Sequence, residues 1–216
     1  MRDTLVKCPF DVLIDSAEVH PYTFQGIRAD ANKRNGTFTV RWYRTSLGRH
    51  PLSYGDYSMA GGFGRVAIER KSMEDAWGTL LGWPTGWEQD RGLPGRRDRF
   101  ERELANLNGI DASLIVVEAT LGRCLEMIPQ WGVKPAEVNR KIFFRTVLSY
   151  QQRFPRVQWQ FCDTRRLAEV TTFRWLYRFW AKQLKGSDCE WMGDIGGQDS
   201  GDGASEGDLV GRWDWV

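Results

Sequence analysis

Val66-Ala67-Ile68-Glu69-Arg70-Lys71, with Gly55-Asp56-Tyr57 before it and Asp75 four residues after it, decides the reading of this chain. The six residues alternate. Val66 and Ile68 are apolar against Ala67, Glu69 and Lys71, which is the period of a strand. Glu69 and Lys71 therefore share one face and Arg70 points to the other. Asp56 stands just before a Gly-rich turn formed by Gly61, Gly62 and Gly64. A hairpin through that turn brings Asp56 beside Glu69. Two carboxylates and a lysine at one end of a sheet suit a hard divalent cation and an activated water, the chemistry of phosphodiester hydrolysis. Taken alone, Glu69 and Lys71 also read as a solvated ion pair on an edge strand.

Outward from this hairpin the pattern alternates. Asp11–Asp15 reads as a short buried strand, and Thr37–Tyr43 as a second, rich in β-branched and aromatic residues. Tyr57–Met59 pairs with Val66–Lys71. Met73–Leu81 is helical, with Ser72 at the N-cap and Asp75 at the third position. Arg97–Asn108 is a helix with Phe100, Leu104 and Leu107 on one face. Ser113–Glu118 is a continuous apolar strand, as in a sheet covered on both sides. A helix from Pro135 to about Phe154, a strand over Val157–Phe161 and a final helix to about Lys185 complete the order. Strands first, then alternating helix and strand, predict an α/β fold with a mixed sheet.

The 216 residues are enough for one ordinary domain and a tail, and 41% are hydrophobic, enough for a real core. No apolar run reaches the roughly 18–20 residues of a membrane span, and the N-terminus carries no signal-peptide pattern, so a cytoplasmic protein is expected. Cys8, Cys124, Cys162 and Cys189 are scattered, which favours neither zinc nor a disulfide framework. His20 and His50 are the only histidines, which argues against a His-rich metal site.

The net charge of +2 hides an asymmetry. Residues 186–216 hold eight acidic residues and one basic, a charge of −7, so residues 1–185 carry +9. This divides the chain into a domain over 1–185 and an acidic, Gly-rich tail over 186–216, expected to be disordered. The basic body suits a polyanionic partner, and the tail either competes for that surface or simply solubilises. Trp213-Asp214-Trp215-Val216 at its end reads as a docking peptide for a protein partner, or as tryptophans folded back on the body.

The strings GDY, ERKSMED, RFERE (Arg99–Glu103) and IVVE (Ile115–Glu118) resemble the nuclease domain of the XPF family, structure-specific DNA endonucleases of the PD-(D/E)XK superfamily. That family's GDx…ERKxxxD signature is met at Gly55, Asp56, Glu69, Arg70, Lys71 and Asp75, and the similarity covers roughly residues 11–184. The resemblance implies a restriction-endonuclease-like sheet flanked by helices and a metal-dependent endonuclease for branched, flap or junction DNA in repair or recombination. It implies that Asp56 and Glu69 bind Mg²⁺ or Mn²⁺, helped by the backbone carbonyl of Arg70, with Asp15 and Glu18 as candidate further ligands, directly or through water. Lys71 would orient the attacking water or stabilise the phosphate. Asp75, Arg99 and Glu103 would support the site, although Asp75 also suits the helix N-terminus and Arg99–Glu103 a surface pair. Glu118 would lie near the site or at the strand end in water.

Two departures stand out. The family's Asp-x-Arg-Glu reads Asp15-Ser16-Ala17-Glu18 here, without the arginine, and where many relatives carry tandem helix-hairpin-helix modules the sequence reads as the acidic tail. Affinity for DNA is then expected from the body, a partner or dimerisation. Arg91, Arg96, Arg97, Arg99 and Arg102 are the candidate phosphate contacts, with Trp83 and Trp87 either stacking on unpaired bases or packing on the core. The aromatics of the two long C-terminal helices (Phe143, Phe144, Phe173, Trp175, Tyr177, Phe179 and Trp180) exceed one inward face, which suggests a homodimer interface, with core packing as the competing account. A DNA-binding scaffold subunit without strong catalysis is the alternative reading, and a sequence-specific restriction-type enzyme shares the same fold.

Overall fold

The computed structural model describes residues 4–29, 36–45, 52, 54–82, 95–130 and 134–185. The expectations for Arg91, Trp83, Trp87, His50, Cys189 and the acidic tail lie outside these residues. Seven strands and five helices are described: β1 (Thr4–Ile14), β2 (Arg28–Ala29), β3 (Gly36–Arg44), β4 (Tyr57–Met59), β5 (Val66–Lys71), α1 (Met73–Leu81), α2 (Arg96–Leu107), β6 (Ala112–Val117), α3 (Leu121–Glu126), α4 (Ala136–Arg153), β7 (Val157–Phe161) and α5 (Arg165–Lys185).

The strands form one mixed sheet in the order β2-β3-β1-β4-β5-β6-β7. β4 pairs antiparallel with β1 and β5, whereas β5, β6 and β7 run parallel. This is the α/β mixed sheet flanked by helices that the element order predicts. β1 starts seven residues earlier than its reading from Asp11. Its alternation continues back to Thr4, and the register with β3 shifts between Lys7 and Asp11, around Pro9, which has no N–H for the ladder. The short β2 and α3 carry too little periodicity to be read from sequence.

The apolar run of β6 explains the layering. Leu114 and Val116 face one core with Val66, Ile68, Val12 and Ile14, under Phe173 and Leu176 of α5. Ile115 and Val117 face a second core with Ala67, Trp77, Leu80, Phe100, Leu104, Phe143 and Tyr150 from α1, α2 and α4. The sheet is thus buried on both faces, as its continuous hydrophobic strand requires.

The aromatics of α5 correct the expectation of an exposed aromatic surface there. Phe173 and Phe179 are buried, and Trp175, Tyr177 and Trp180 pack against the same core. Phe10 stacks on Phe173 with ring centroids 5.9 Å apart and lies 6.3 Å from Trp180. The large rings of β1 and β3 widen the stripe that α5 must cover, so more than one face of the helix finds apolar partners. On α4, Phe143 is buried, whereas Phe144 and Leu148 remain 41% and 44% exposed. No helix among the described residues is long and apolar enough to cross a membrane. Cys8, Cys124 and Cys162 are buried free thiols.

Candidate active site

The β4–β5 hairpin builds the site. Ser72, the residue after the end of β5, caps α1 by accepting from the Asp75 N–H at 3.1 Å. Gly55 supplies a left-handed residue with φ +71, and a Cβ there would lie 2.9 Å from the Ile68 carbonyl oxygen. Only glycine allows both the conformation and the close approach. The chain then lets the Asp56 N–H donate to the Ile68 carbonyl at 2.8 Å. The Asp56 carboxylate turns back on β5 and accepts the Arg70 N–H at 2.7 Å. Asp15, just beyond β1, donates its N–H to the Asp56 carbonyl at 2.8 Å.

Gly55→Ala is expected to lower stability by about 2–3 kcal/mol, from strain plus collision with backbone. Gly61→Ala is the control. Its φ is +82, but nothing lies within 4 Å of the added Cβ. Thermal melts should therefore place Gly55→Ala well below Gly61→Ala.

Asp15, Asp56, Glu69 and Glu103 line one open cleft of about 540 Å³, with Arg99, Arg102 and Asn106 on its α2 wall. Glu69 is buried and ion-paired with Lys71, whose ammonium also sits 4.8 Å above the Phe100 ring. Burial and the neighbouring Glu69 charge raise the Asp56 pKa well above the ordinary carboxylate value, against the pull of Lys71 and the Arg70 N–H. Burial, the Glu69 charge and a hydrogen bond with Glu69 push Glu103 up to about 9. Burial works against the Lys71 charge, but Glu69, Glu103 and Asp56 outweigh it and raise its pKa above the usual lysine value. Three carboxyl groups thus crowd one ammonium.

That crowding, and a donor set made only of oxygen, fit a hard divalent cation. As the side chains stand, no three His, Cys, Asp or Glu groups among the described residues form a ligand shell. A strand residue directs its N–H and C=O to the same edge. The Arg70 carbonyl accordingly lies on the edge that Asp56 occupies.

Several expected site residues are elsewhere. Glu18, expected as a further ligand directly or through water, does not line the cleft. Its carboxylate accepts from Arg70 Nη1 at 3.2 Å and from the His20 N–H at 2.7 Å, on the far face of the sheet. Glu118 is on that face too, taking a two-point contact from Arg70 at 2.7 and 3.0 Å and one from Arg165 at 2.7 Å. Burial opposes the Glu118 charge, but the hydrogen bond and charge of Arg70, with smaller help from Tyr22 and Arg165, lower its pKa. Asp75 serves the α1 N-terminus and meets Arg96 at 3.8 Å. Arg97 donates to the Tyr150 hydroxyl at 3.2 Å and pairs with Glu101, away from the cleft. Of the described candidate phosphate contacts, Arg99 and Arg102 line the cleft. Asn106 was missed. It continues the α2 face of Arg99, Arg102 and Glu103 at helical spacing, a signal the sequence does carry.

No family model matches the chain, and none of the curated proteins matches it. Among solved structures, XPF from Aeropyrum pernix in complex with DNA is 14% identical, with a TM-score of 0.42 over 67% of this chain and 55% of that chain. A second structure of XPF from Aeropyrum pernix is 13% identical, with a TM-score of 0.43 over 68% of this chain and 57% of that chain. The chain spans a little over half the length of the solved chains it matches.

Proposed function

We propose that this chain is a divalent-cation-dependent endonuclease that hydrolyses phosphodiester bonds in DNA, with branched, flap or junction DNA from repair or recombination as its substrate. The observation that carries the reading is the cleft where Asp56 and Glu69 face Glu103 beside a charged Lys71, under the arginines of α2. Asp56 and Glu69 would hold Mg²⁺ or Mn²⁺, with the Arg70 carbonyl and Asp15 as further oxygens. When bound, the cation polarises the phosphate and acidifies a water. Lys71 keeps its proton and offers it as a hydrogen bond to the attacking water or to charge building on the phosphorus oxygens. Arg99 and Arg102 suit the flanking phosphates, which guanidinium groups bind in a planar fork. An open cleft with backbone-directed charges favours recognition by shape over base sequence. Self-association belongs to the same reading, with Phe144 and Leu148 as apolar surface for a second copy.

The test is incubation of the protein with labelled flap, fork, four-way junction and linear duplex DNA in Mg²⁺, Mn²⁺ or EDTA, beside Lys71→Ala. The expected result is cutting of branched DNA with either cation, none in EDTA and none by the variant. Tight binding with no cutting under any cation would overturn the reading in favour of the scaffold alternative.

A further inference from the structure

Behind the cleft, on the opposite face of β5, lies a chain of ion pairs that the chemistry above does not use. Arg165, at the start of α5, donates to Glu118 at 2.7 Å. Glu118 holds the Arg70 guanidinium by two parallel bonds, and the outer Arg70 nitrogen reaches Glu18 at 3.2 Å. The Arg70 and Glu118 side chains are 10% exposed and that of Glu18 is 6% exposed. The ends of the network are tied to backbone. Glu18 accepts from the His20 N–H at 2.7 Å, and Arg165 donates to the His20 and Pro21 carbonyls at 2.5 and 3.3 Å. The Arg70 and Arg165 guanidinium groups also lie over the Tyr22 ring, at 5.8 and 4.9 Å.

Arg70 belongs to both sides of the sheet. Its side chain is locked in this network, and its N–H meets the Asp56 carboxylate at 2.7 Å in front. One residue thus links the buried network to the Asp56 carboxylate. We propose that the Arg165–Glu118–Arg70–Glu18 network is the positioning device of the cation site, acting on Asp56 through the Arg70 N–H. This rests on the cation-dependent reading above. Outer partners that orient a ligand typically change metal affinity by about 10–100-fold when removed. A network that merely tied residues 18–22 to the sheet would change stability and leave the affinity of the folded protein alone.

The test uses the full chain, with free Mn²⁺ read by electron paramagnetic resonance and folding by circular dichroism. Glu118→Gln keeps the size of the side chain and removes its charge. Arg165→Met removes the outermost, more exposed partner and leaves the Arg70–Glu118 contact, so it reports even if Glu118→Gln does not fold. The expected result is Mn²⁺ binding about tenfold weaker in folded Glu118→Gln, with a smaller loss in Arg165→Met. Cleavage at saturating Mn²⁺ should return close to the unmodified rate, because the ligands and Lys71 are untouched. Folded variants that bind Mn²⁺ as the unmodified chain does would overturn the positioning role while leaving the cation reading standing. An unmodified chain that binds no Mn²⁺ would overturn both.

Discussion

Asp56→Asn is expected to abolish cleavage and, without divalent cation, to melt at a higher temperature than the unmodified protein. The carboxylate sits beside Glu69 with Glu103 near, and burial and repulsion hold its pKa well above the usual range. An amide removes that repulsion. Its carbonyl oxygen can still accept the Arg70 N–H, so the hairpin keeps its bond. On the proposed reading, a bound cation would lose a charged ligand. If the cation supplies about 4 kcal/mol of transition-state stabilisation, the loss is roughly a thousandfold in rate. The opposite signs are the diagnostic part. A residue of purely structural value loses stability when replaced, whereas a carboxylate held in place for a cation gains it. Added Mg²⁺ should raise the melting temperature of the unmodified chain and leave that of the variant nearly unmoved. Thermal melts with and without Mg²⁺, run beside a cleavage assay, measure all three expectations. A destabilised Asp56→Asn that still responds to Mg²⁺ would remove Asp56 from the cation site.

Arg70→Met is the second large effect, and it acts on folding. The guanidinium is the shared partner of Glu18 and Glu118, all three side chains being almost wholly buried. Removing it leaves Glu18 facing no cation and Glu118 with Arg165 alone, so the loss should be about 3–5 kcal/mol, as for other broken buried ion pairs. Urea unfolding should show the midpoint falling with an unchanged slope. The triple change Arg70→Met, Glu18→Leu, Glu118→Leu should recover most of the loss, because apolar groups of similar volume replace the whole network without leaving a charge stranded. If the triple variant is no more stable than Arg70→Met, the loss comes from packing around Tyr22 and not from stranded carboxylates. Arg70 thus meets Glu18 and Glu118 through its side chain and Asp56 through its backbone N–H.

Much of this arrangement follows from the sequence alone, because it depends on neighbours along the chain. The alternation of Val66–Lys71 put Glu69 and Lys71 on one face and Arg70 on the other, and the structure keeps that division. Ser72 followed the strand and began α1 through its own hydroxyl. The apolar run of β6 required cover on both faces, and a turn rich in glycine let Asp56 return to β5. Each of these is a local rule of period, cap or turn. Tertiary structure decided the rest. Glu18 and Glu118 meet Arg70 from 52 and 48 residues away, and nothing near Arg70 in sequence names them as partners. The approach of α2 to β5 brought Glu103 onto Glu69, while the turn of the same helix sent Arg97 to Tyr150. The aromatics of α5 turned inward because rings of β1 and β3 extended the core beneath them. A side chain's face is fixed by its own strand or helix, but its partner depends on how elements distant in sequence pack. The cleft's charge balance therefore appears only once the fold is complete.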